Sequence, residues 1–193
     1  GCSCNQPSVL VSRRRVWYNA RMIDLIRYIR DVPDFPKPGI VFKDITPLLA
    51  DHQALRETIG RLVEPFRDKG VEVVAAVESR GFIFGALAAL ELQAALVPIR
   101  KPGKLPYRTV SQSYELEYGT DTIEVHEDAV RRGQRVLMVD DVLATGGTMD
   151  AACRLVRRLG GDILAAAFVI ELAFLSGRER MGDCTVHSLI QVK

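Results

Sequence analysis

The sequence lacks the features that identify membrane proteins, single-strand binders and serine hydrolases. It has no apolar run of about 18 residues, so no membrane-spanning helix is expected. Aromatic residues make up 7% of the chain, with a single Trp, which leaves little surface for stacking unpaired bases. The histidines, His52, His126 and His187, are far apart, and no Gly-x-Ser-x-Gly segment occurs. A Ser-His-Asp hydrolase is therefore not expected.

The excess of positive charge is confined to the beginning of the chain. The formal net charge is +2, but residues 1–21 contain four arginines and no acidic residue. The rest of the chain is slightly acidic, so a nucleic-acid-binding surface over the whole domain is not expected. We interpret residues 1–21 as a disordered extension or a mis-assigned start, with Met22 as the more natural first residue.

The cysteines are too few and too scattered to predict a disulfide framework. Cys2 and Cys4 have no second pair or nearby His, so a zinc site is not expected. Cys153 and Cys184 stand among apolar neighbours and predict buried thiols. Free buried thiols are typical of a reducing compartment, and we expect a cytoplasmic protein without a membrane partner.

From Met22 onward, short apolar runs alternate with segments of helical length. Runs rich in β-branched residues predict strands at 71–77, 94–99, 135–139 and 162–170. Helices are predicted at 23–30, 52–68, 81–92 and 147–159, with Pro65 kinking or ending the second one. Strands that are apolar on both faces and alternate with helices indicate an α/β domain. We expect one domain over 22–193, with a central, mostly parallel sheet and helices on both faces.

Two segments depart from this alternation. A Pro-rich loop at 31–44 follows the first predicted helix, and we assign a small N-terminal hood to about 31–46. Between the second and third predicted strands, apolar and polar residues alternate strictly, and Gly119 interrupts the alternation. This pattern predicts a β-hairpin over 109–126, within a flexible lid at about 101–126.

Two acidic residues followed by a small-residue turn are the strongest chemical signal. The apolar strand ending at Val139 is followed by Asp140 and Asp141, and the Thr-Gly-Gly-Thr of 145–148 opens a helix. Backbone N–H groups of such a turn converge on an anion at the positive end of the helix dipole. No Lys follows the glycines and no Gly-x-Gly-x-x-Gly occurs, so neither a Walker A loop nor a dinucleotide fold is indicated.

This segment resembles the signature of the type I phosphoribosyltransferases, which bind 5-phosphoribosyl 1-pyrophosphate. Two other loops fit a substrate with two anionic ends, the Glu78-Ser-Arg-Gly-Phe segment and the cationic segment from Arg100 to Lys104. The hood segment from Phe35 to Ile45 and the Ser-Tyr-Glu-Leu-Glu-Tyr-Gly of 113–119 resemble the adenine-specific members of the family. The resemblance runs in the family's order from Met22 to Lys193.

The resemblance implies an enzyme that makes AMP and diphosphate from adenine and 5-phosphoribosyl 1-pyrophosphate, a step of purine salvage, as a homodimer with Mg²⁺ held mainly through the substrate. It assigns the phosphoribose to Asp140, Asp141, Ala144, Thr145, Gly146, Gly147 and Thr148. It assigns the diphosphate to Ser79, Arg80, Arg100, Lys101 and Lys104. It assigns adenine to Phe42 and Leu172 on opposite faces and to the backbone of Val41 and Lys43.

The reaction needs a base for the N9 proton of adenine, and a carboxylate on a closing loop suits this role. The resemblance favours Glu117, with Glu115 on the same face as the alternative and Tyr118 as a lid residue. Two other functions stay open from the residues. One is a transferase of the same fold for xanthine, guanine or orotate, and the other is a non-catalytic sensor of purines or of the phosphoribosyl donor.

Overall fold

The structure is a computed structural model that describes residues 23–115 and 119–193. The interpretation of residues 1–21 and of Met22 lies outside the described residues, and so do Glu117 and Tyr118. The strands are β1 Arg30–Pro33, β2 Val41–Asp44, β3 Val73–Val77, β4 Ala95–Ile99, β5 Thr109–Glu115, β6 Thr120–His126, β7 Arg135–Leu143, β8 Asp162–Leu172 and β9 Val186–Val192. The α-helices are α1 Thr46–Ala50, α2 His52–Val63, α3 Gly81–Leu92, α4 Gly147–Leu159 and α5 Gly177–Arg180.

The centre of the fold is a five-stranded sheet in the order β4-β3-β7-β8-β9, and every neighbouring pair in it is parallel. This confirms the predicted α/β class and the four predicted strands. The sequence prediction missed β9 and ended β7 too early, at Val139 instead of Leu143. β9 is an edge strand with mostly half-buried residues, so it lacks the continuous apolar run that marks the inner strands.

The sheet is covered on both faces, as expected for parallel strands. α1, α2 and α3 contribute to the core on one face, and α4 and the β5–β6 hairpin contribute to the core on the other. A Cβ atom added at Gly85 would lie only 2.4 Å from the Cβ of Ala76, so this glycine lets α3 pack directly on β3. Cys153 and Cys184 are free and buried, as predicted.

The N-terminal region is more structured than the sequence predicted. The helix expected at 23–30 is a single 3₁₀ turn, Leu25–Tyr28, and β1 follows it. The Pro-rich segment contains an antiparallel hairpin, in which β1 pairs with β2. The second predicted helix ends early: α2 stops at Val63, and Glu64–Phe66 forms a 3₁₀ turn, since Pro65 has no N–H to continue the α-helical bonds.

The hairpin predicted at 109–126 is present as β5 and β6, which pair antiparallel from Thr109 opposite His126 to Glu115 opposite Thr120. Its buried side includes Tyr114, Ile123 and Val125, which join the core beside α4. The predicted alternation therefore holds over the described part of the hairpin. Within residues 23–115 and 119–193, no helix is long and apolar enough to span a bilayer.

Candidate active site

The polar loops predicted from the sequence all follow the carboxyl ends of sheet strands. Because the sheet is parallel, the loops after β3, β4, β7 and β8 lie at the same edge. Ligands of open α/β sheets bind at this edge. The three inner strands of this group are buried over nearly their whole length, so they hold the loops on a rigid base.

Asp140 and Asp141 lie near the end of β7, beside the start of α3. The Oδ1 of Asp140 accepts a hydrogen bond from the N–H of Asp141 at 2.8 Å. A Cβ atom at Gly81 would lie 2.7 Å from the same oxygen, so the glycine allows α3 to begin against this carboxylate. Burial, followed by the negative charge of Asp141, raises the pKa of Asp140 well above its usual range.

The second aspartate has a buried oxygen with no hydrogen-bond donor. Among the described residues, no group donates a hydrogen bond to Oδ2 of Asp141. The Nε of Arg80 lies 2.7 Å from this oxygen, as an ion pair whose alignment is not that of a hydrogen bond. Burial raises the pKa of Asp141, and the charge of Arg80 opposes the rise. The oxygen is therefore an acceptor suited to a hydroxyl donor.

Arg80 also connects the acidic pair to the hood. Its guanidinium carbon lies 4.8 Å from the centre of the Phe42 ring, a cation–π distance. The ring of Phe35 meets Phe42 edge to face, with centroids 5.2 Å apart. The structure thus brings together Phe42, Arg80 and Asp141, three residues that the family resemblance assigns to three different parts of the substrate.

The turn after β7 has the geometry of an anion-binding loop. Gly146 adopts φ +80° in the left-handed region, and Gly147 begins α4 directly after it. The first N–H groups of a helix have no partner within the helix, so those of α4 are directed at this turn. The turn lines a small cavity together with Asp140 and Phe168. The hydroxyl of Thr148 donates to the hydroxyl of Tyr114 at 3.2 Å.

The cationic loop after β4 is organised by Glu78. The carboxylate of Glu78 accepts hydrogen bonds from Nε of Arg100 at 3.2 Å, from the N–H of Lys101 at 3.0 Å, and from the ammonium of Lys104. Burial opposes the ionisation of Glu78, but the bonds from Lys104 and Lys101 outweigh it and lower its pKa. Two of the three predicted cations are therefore paired with one carboxylate.

Lys101 is the third cation of this loop, and its side chain points to the hairpin. Its ammonium pairs with Asp121 and lies 3.2 Å from the hydroxyl of Tyr114, which also donates to Asp121 at 3.1 Å. Glu78, Tyr114 and Asp121 were not predicted as site residues from the sequence. The position of Glu78 beside Ser79 was an available signal, whereas the contacts of Tyr114 and Asp121 depend on how the hairpin packs.

The adenine residues predicted from the sequence lie in the hood and at the end of β8. Val41 pairs with Pro33, which has no N–H, so the Val41 carbonyl receives no hydrogen bond from its strand partner. The ammonium group of Lys43 is paired with Asp31 at 2.7 Å. The part of Lys43 left to contact a base is therefore its backbone, as the resemblance implies. Leu172 is the last residue of β8 and is half-buried.

Comparisons with known proteins agree with this geometry. The Phosphoribosyl transferase domain family matches residues 44–191. The adenine phosphoribosyltransferase of Methylococcus capsulatus is 60% identical over 162 residues, which cover 84% of this chain and 95% of that protein. The one of Thermotoga petrophila is 54% identical over 168 residues, 87% of this chain and 99% of that protein. The chain belongs to the adenine phosphoribosyltransferase family.

Solved structures of this family have the same fold. The adenine phosphoribosyltransferase of Rhodothermus marinus superposes with a TM-score of 0.84 at 54% identity, covering 87% of this chain and 96% of that one. The Saccharomyces cerevisiae enzyme superposes with a TM-score of 0.81 at 38% identity, covering 86% and 96%. The predicted membership of the type I phosphoribosyltransferases is therefore confirmed, and so is the predicted enzyme class, a pentosyltransferase.

The acidic pair is compatible with the Mg²⁺ ion that the resemblance implies. Within residues 23–115 and 119–193, no three His, Cys, Asp or Glu side chains are grouped to hold a metal. Mg²⁺ in phosphate-transfer sites is commonly bound by one or two carboxylates together with substrate phosphates and water. Asp140 and Asp141 provide two carboxylates with an oxygen that has no donor, so the residues present are compatible with such an ion.

Proposed function

We propose that this chain transfers the 5-phosphoribosyl group of 5-phosphoribosyl 1-pyrophosphate to N9 of adenine, giving AMP and diphosphate. The observation that carries the proposal is the buried Oδ2 of Asp141, which accepts no hydrogen bond from any described residue and lies against Arg80, next in sequence to Asp140 of the cavity that the anion-binding turn lines. A ribose hydroxyl supplies the donor it lacks. The names of the relatives support adenine as the acceptor, and the yeast relative is complexed with adenine and an imino-altritol bisphosphate.

The donor is held along the carboxyl edge of the sheet. Asp140 and Asp141 accept hydrogen bonds from the ribose hydroxyls, because carboxylates bind vicinal hydroxyls well. The turn of Ala144, Thr145, Gly146, Gly147 and Thr148 binds the 5-phosphate through backbone N–H groups and the two hydroxyls. The diphosphate is bound by Ser79, Arg80, Arg100, Lys101 and Lys104. Glu78 holds Arg100 and Lys104 in place, so the diphosphate shares them with an internal carboxylate.

Adenine is held by the hood. The ring of Phe42 stacks on one face of the base and Leu172 packs on the other. The Val41 carbonyl accepts from the 6-amino group, since its strand partner Pro33 offers no N–H, and the backbone of Lys43 binds a second atom of the base edge. Backbone recognition of this kind fixes the donor and acceptor pattern of the base, because a main-chain carbonyl cannot rotate into a donor.

The chemistry is mostly electrostatic. As the bond from C1 to the diphosphate breaks, negative charge grows on the leaving group, and the fixed cations after β3 and β4 stabilise it. Mg²⁺, when bound, neutralises part of the diphosphate charge. Glu117 takes the N9 proton of adenine, and Tyr118 belongs to the lid that excludes water from the reacting atoms. Both residues lie outside the described part of the chain.

The first test is a panel of acceptor bases at constant donor and Mg²⁺, with nucleotide formation as the readout. Product from adenine alone supports the proposal. Product from hypoxanthine, guanine, xanthine or orotate instead would keep the donor site and overturn the adenine assignment. Binding of the donor without product from any base would identify a sensor. The variant Asp141→Asn should lose most of its activity, whereas the control Asp162→Asn changes an exposed aspartate at the opposite end of β8 and should not.

We also propose that the chain forms a homodimer through α3 and the edge strand β4. Apart from Glu91, α3 consists of apolar residues and glycine, yet Ile83 and Leu90 on its outer face are 38% and 77% exposed. Leu96 on β4 is 42% exposed and lies beside Gly85 of the same helix. A helix that is apolar all round is normally buried, and a second copy would cover this face.

The oligomeric state can be tested by light scattering after size-exclusion chromatography. The variant Leu90→Glu should shift the mass towards one chain, because it places a charge in the centre of the proposed interface. Ile26→Glu is the matched control, since Ile26 is 51% exposed but lies in the 3₁₀ turn before β1. A dimer that persists in Leu90→Glu would overturn the assignment of the interface.

We further propose a cytoplasmic location. The free, buried thiols of Cys153 and Cys184 support a reducing environment, in which such thiols persist. Fluorescence microscopy of a C-terminally tagged chain tests it, and a signal confined to another compartment would overturn it.

A further inference from the structure

The turn that follows β8, which includes the short helix α5 (Gly177–Arg180), packs against the anion-binding turn through backbone contacts. A Cβ atom placed on Gly177 would lie 2.0 Å from the carbonyl oxygen of Ala144. A Cβ atom placed on Gly146 would lie 2.5 Å from the carbonyl oxygen of Gly177. Real Cβ atoms do not approach other atoms so closely, so both positions require glycine. The two turns therefore form a single packed unit, although they are about 30 residues apart in the chain.

An ion pair between Arg178 and Glu171 holds the turn that follows β8 to the sheet. The guanidinium of Arg178 donates two hydrogen bonds to the carboxylate of Glu171, at 2.9 Å and 2.6 Å. It also donates to the carbonyl of Val186 on β9 at 3.0 Å. Glu171 itself is buried near the end of β8. A bidentate pair of this kind fixes orientation as well as distance, so the residues after Arg178 have a defined position.

Arg180 is the last residue of α5 and lies beside the anion-binding turn. Its Cβ lies 3.3 Å from the position that a Cβ of Gly146 would occupy. Its Nη1 lies 3.5 Å from the corresponding position on Gly147. The main-chain carbonyl of Glu115, at the end of β5, is also 3.5 Å from that second position. The guanidinium is thus beside the first residue of α4, at the side that faces the hairpin.

Arg180 is available to bind an anion. The residue is exposed. In the part of the chain that the structure describes, its side chain has no ion pair and no hydrogen bond; the ion pairs found there include those of its neighbour Arg178 but none of Arg180. The anion-binding loop, for its part, contains no Lys or Arg in the segment 144–148. A phosphate monoester there would meet only backbone N–H groups, hydroxyls and the helix dipole.

We propose that Arg180 binds the 5-phosphate of the donor and of the nucleotide product, as the cation that the loop itself lacks. This inference rests on the proposed function, since it assigns the phosphate monoester to the loop of 144–148. A guanidinium at this place forms charge-assisted hydrogen bonds to the phosphate oxygens that the backbone N–H groups leave free. The contacts of Gly177 and Arg178 fix the backbone at Arg180 before the substrate binds, so only its side chain has to be ordered on binding.

The test compares Arg180→Gln and Arg180→Lys with the native chain. For Arg180→Gln we expect the KM for the phosphoribosyl donor to rise by about tenfold to fiftyfold, with the KM for adenine and the thermal midpoint unchanged. Arg180→Lys should recover part of the loss because it keeps the charge. Arg131→Gln is the matched control: it removes an exposed arginine just before β7, at the opposite edge of the sheet.

Binding of ribose 5-phosphate, measured by calorimetry without adenine, separates this inference from the proposed function. Weaker binding in Arg180→Gln than in Arg131→Gln supports the role of Arg180 even if no base is turned over. An unchanged dissociation constant for ribose 5-phosphate, together with an unchanged donor KM, overturns the inference. If the native chain makes no AMP but binds ribose 5-phosphate in an Arg180-dependent way, only the proposed function fails.

Discussion

The Nε of Arg80 lies 2.7 Å from the Oδ2 of Asp141, and this ion pair joins the loop after β3 to the end of β7. The same guanidinium lies over Phe42 of the hood. One side chain therefore contacts the proposed sites of the base and the ribose while belonging to the proposed site of the diphosphate. A change at Arg80 should therefore disturb the positions of both Phe42 in the hood and Asp141 in the acidic pair.

Replacement of Arg80 should affect both substrates. In Arg80→Gln, Asp141 loses its cation and Phe42 loses its cation–π partner. We expect kcat/KM for the donor to fall at least about tenfold, with a rise in the KM for adenine. Arg80→Lys should preserve kcat/KM for the donor better than it preserves the KM for adenine, since an ammonium keeps the charge but lacks the flat guanidinium face. Steady-state kinetics with each substrate varied in turn measures the two effects, and an unaffected adenine KM in both variants would contradict the link.

The variant Asp140→Asn should be more stable and less active. Burial and the neighbouring Asp141 raise the pKa of Asp140, so the folded state favours the protonated form and ionisation costs stability as pH rises. The amide avoids this cost and can still accept the bond from the N–H of Asp141. We expect a higher thermal midpoint at pH 7.5 in the absence of ligand, together with weaker donor binding.

The pH dependence checks the sign of that effect. The stability gain of Asp140→Asn should shrink as pH falls through the raised pKa of Asp140, and should vanish near the ordinary aspartate value of about 3.9. Below that value the aspartate is protonated in both the folded and the unfolded state. Thermal unfolding of both proteins between pH 4 and 8 gives the curve, and a gain that grows towards low pH contradicts the argument.

The proposed base can be distinguished from its neighbour. Glu117→Gln should lower kcat by about 10²–10⁴ with little change in donor binding, because the amide cannot take the N9 proton. Glu115→Gln serves as the control, since it alters a carboxylate two residues earlier in the sequence. Single-turnover kinetics isolates the chemical step. Full activity of Glu117→Gln together with an inactive Glu115→Gln would transfer the role to Glu115.

The packed unit of the two turns predicts that Gly177→Ala is damaging. Its Cβ would lie 2.0 Å from the carbonyl oxygen of Ala144, so the anion-binding turn has to move. We expect the donor KM to rise by more than about tenfold, because the N–H groups of the turn no longer converge on the phosphate. Gly60→Ala is the control, as its Cβ has no atom within 4 Å in α2. Calorimetry with ribose 5-phosphate and thermal unfolding separate loss of binding from loss of the fold.

The class of the fold was predictable because the inner strands are apolar on both faces. β3, β7 and β8 are buried over nearly their whole length and stand out as runs of Val, Ile, Leu and Ala. β9 was not predicted because this edge strand mixes polar and apolar residues. The hood strands were not predicted because three prolines and a glycine interrupt their segment, and a short hairpin has little periodicity to detect.

One part of the candidate site could likewise be predicted from the sequence, and another part could not. The Asp-Asp-x-x-x-Thr-Gly-Gly-Thr segment is contiguous, so its letters alone indicate an anion-binding turn after a strand and two carboxylates at its entrance. The partners of these residues are distant in sequence: Arg80 against Asp141, Tyr114 against Thr148, and Gly177 against Ala144. Such contacts depend on which strands are neighbours and how each loop leaves the sheet, and no local pattern encodes that.

The sequence by itself therefore determined the α/β class, the hairpin, the small-residue turn and the chemical type of each loop, since these depend on neighbouring residues and short periods. Only the tertiary structure decided that Glu78 organises the cations, that Lys101 is held by the hairpin, and that Arg180 stands beside Gly147. The physical reason is that charge and hydrogen bonds act through distances of a few ångströms, and folding brings together groups that are far apart along the chain.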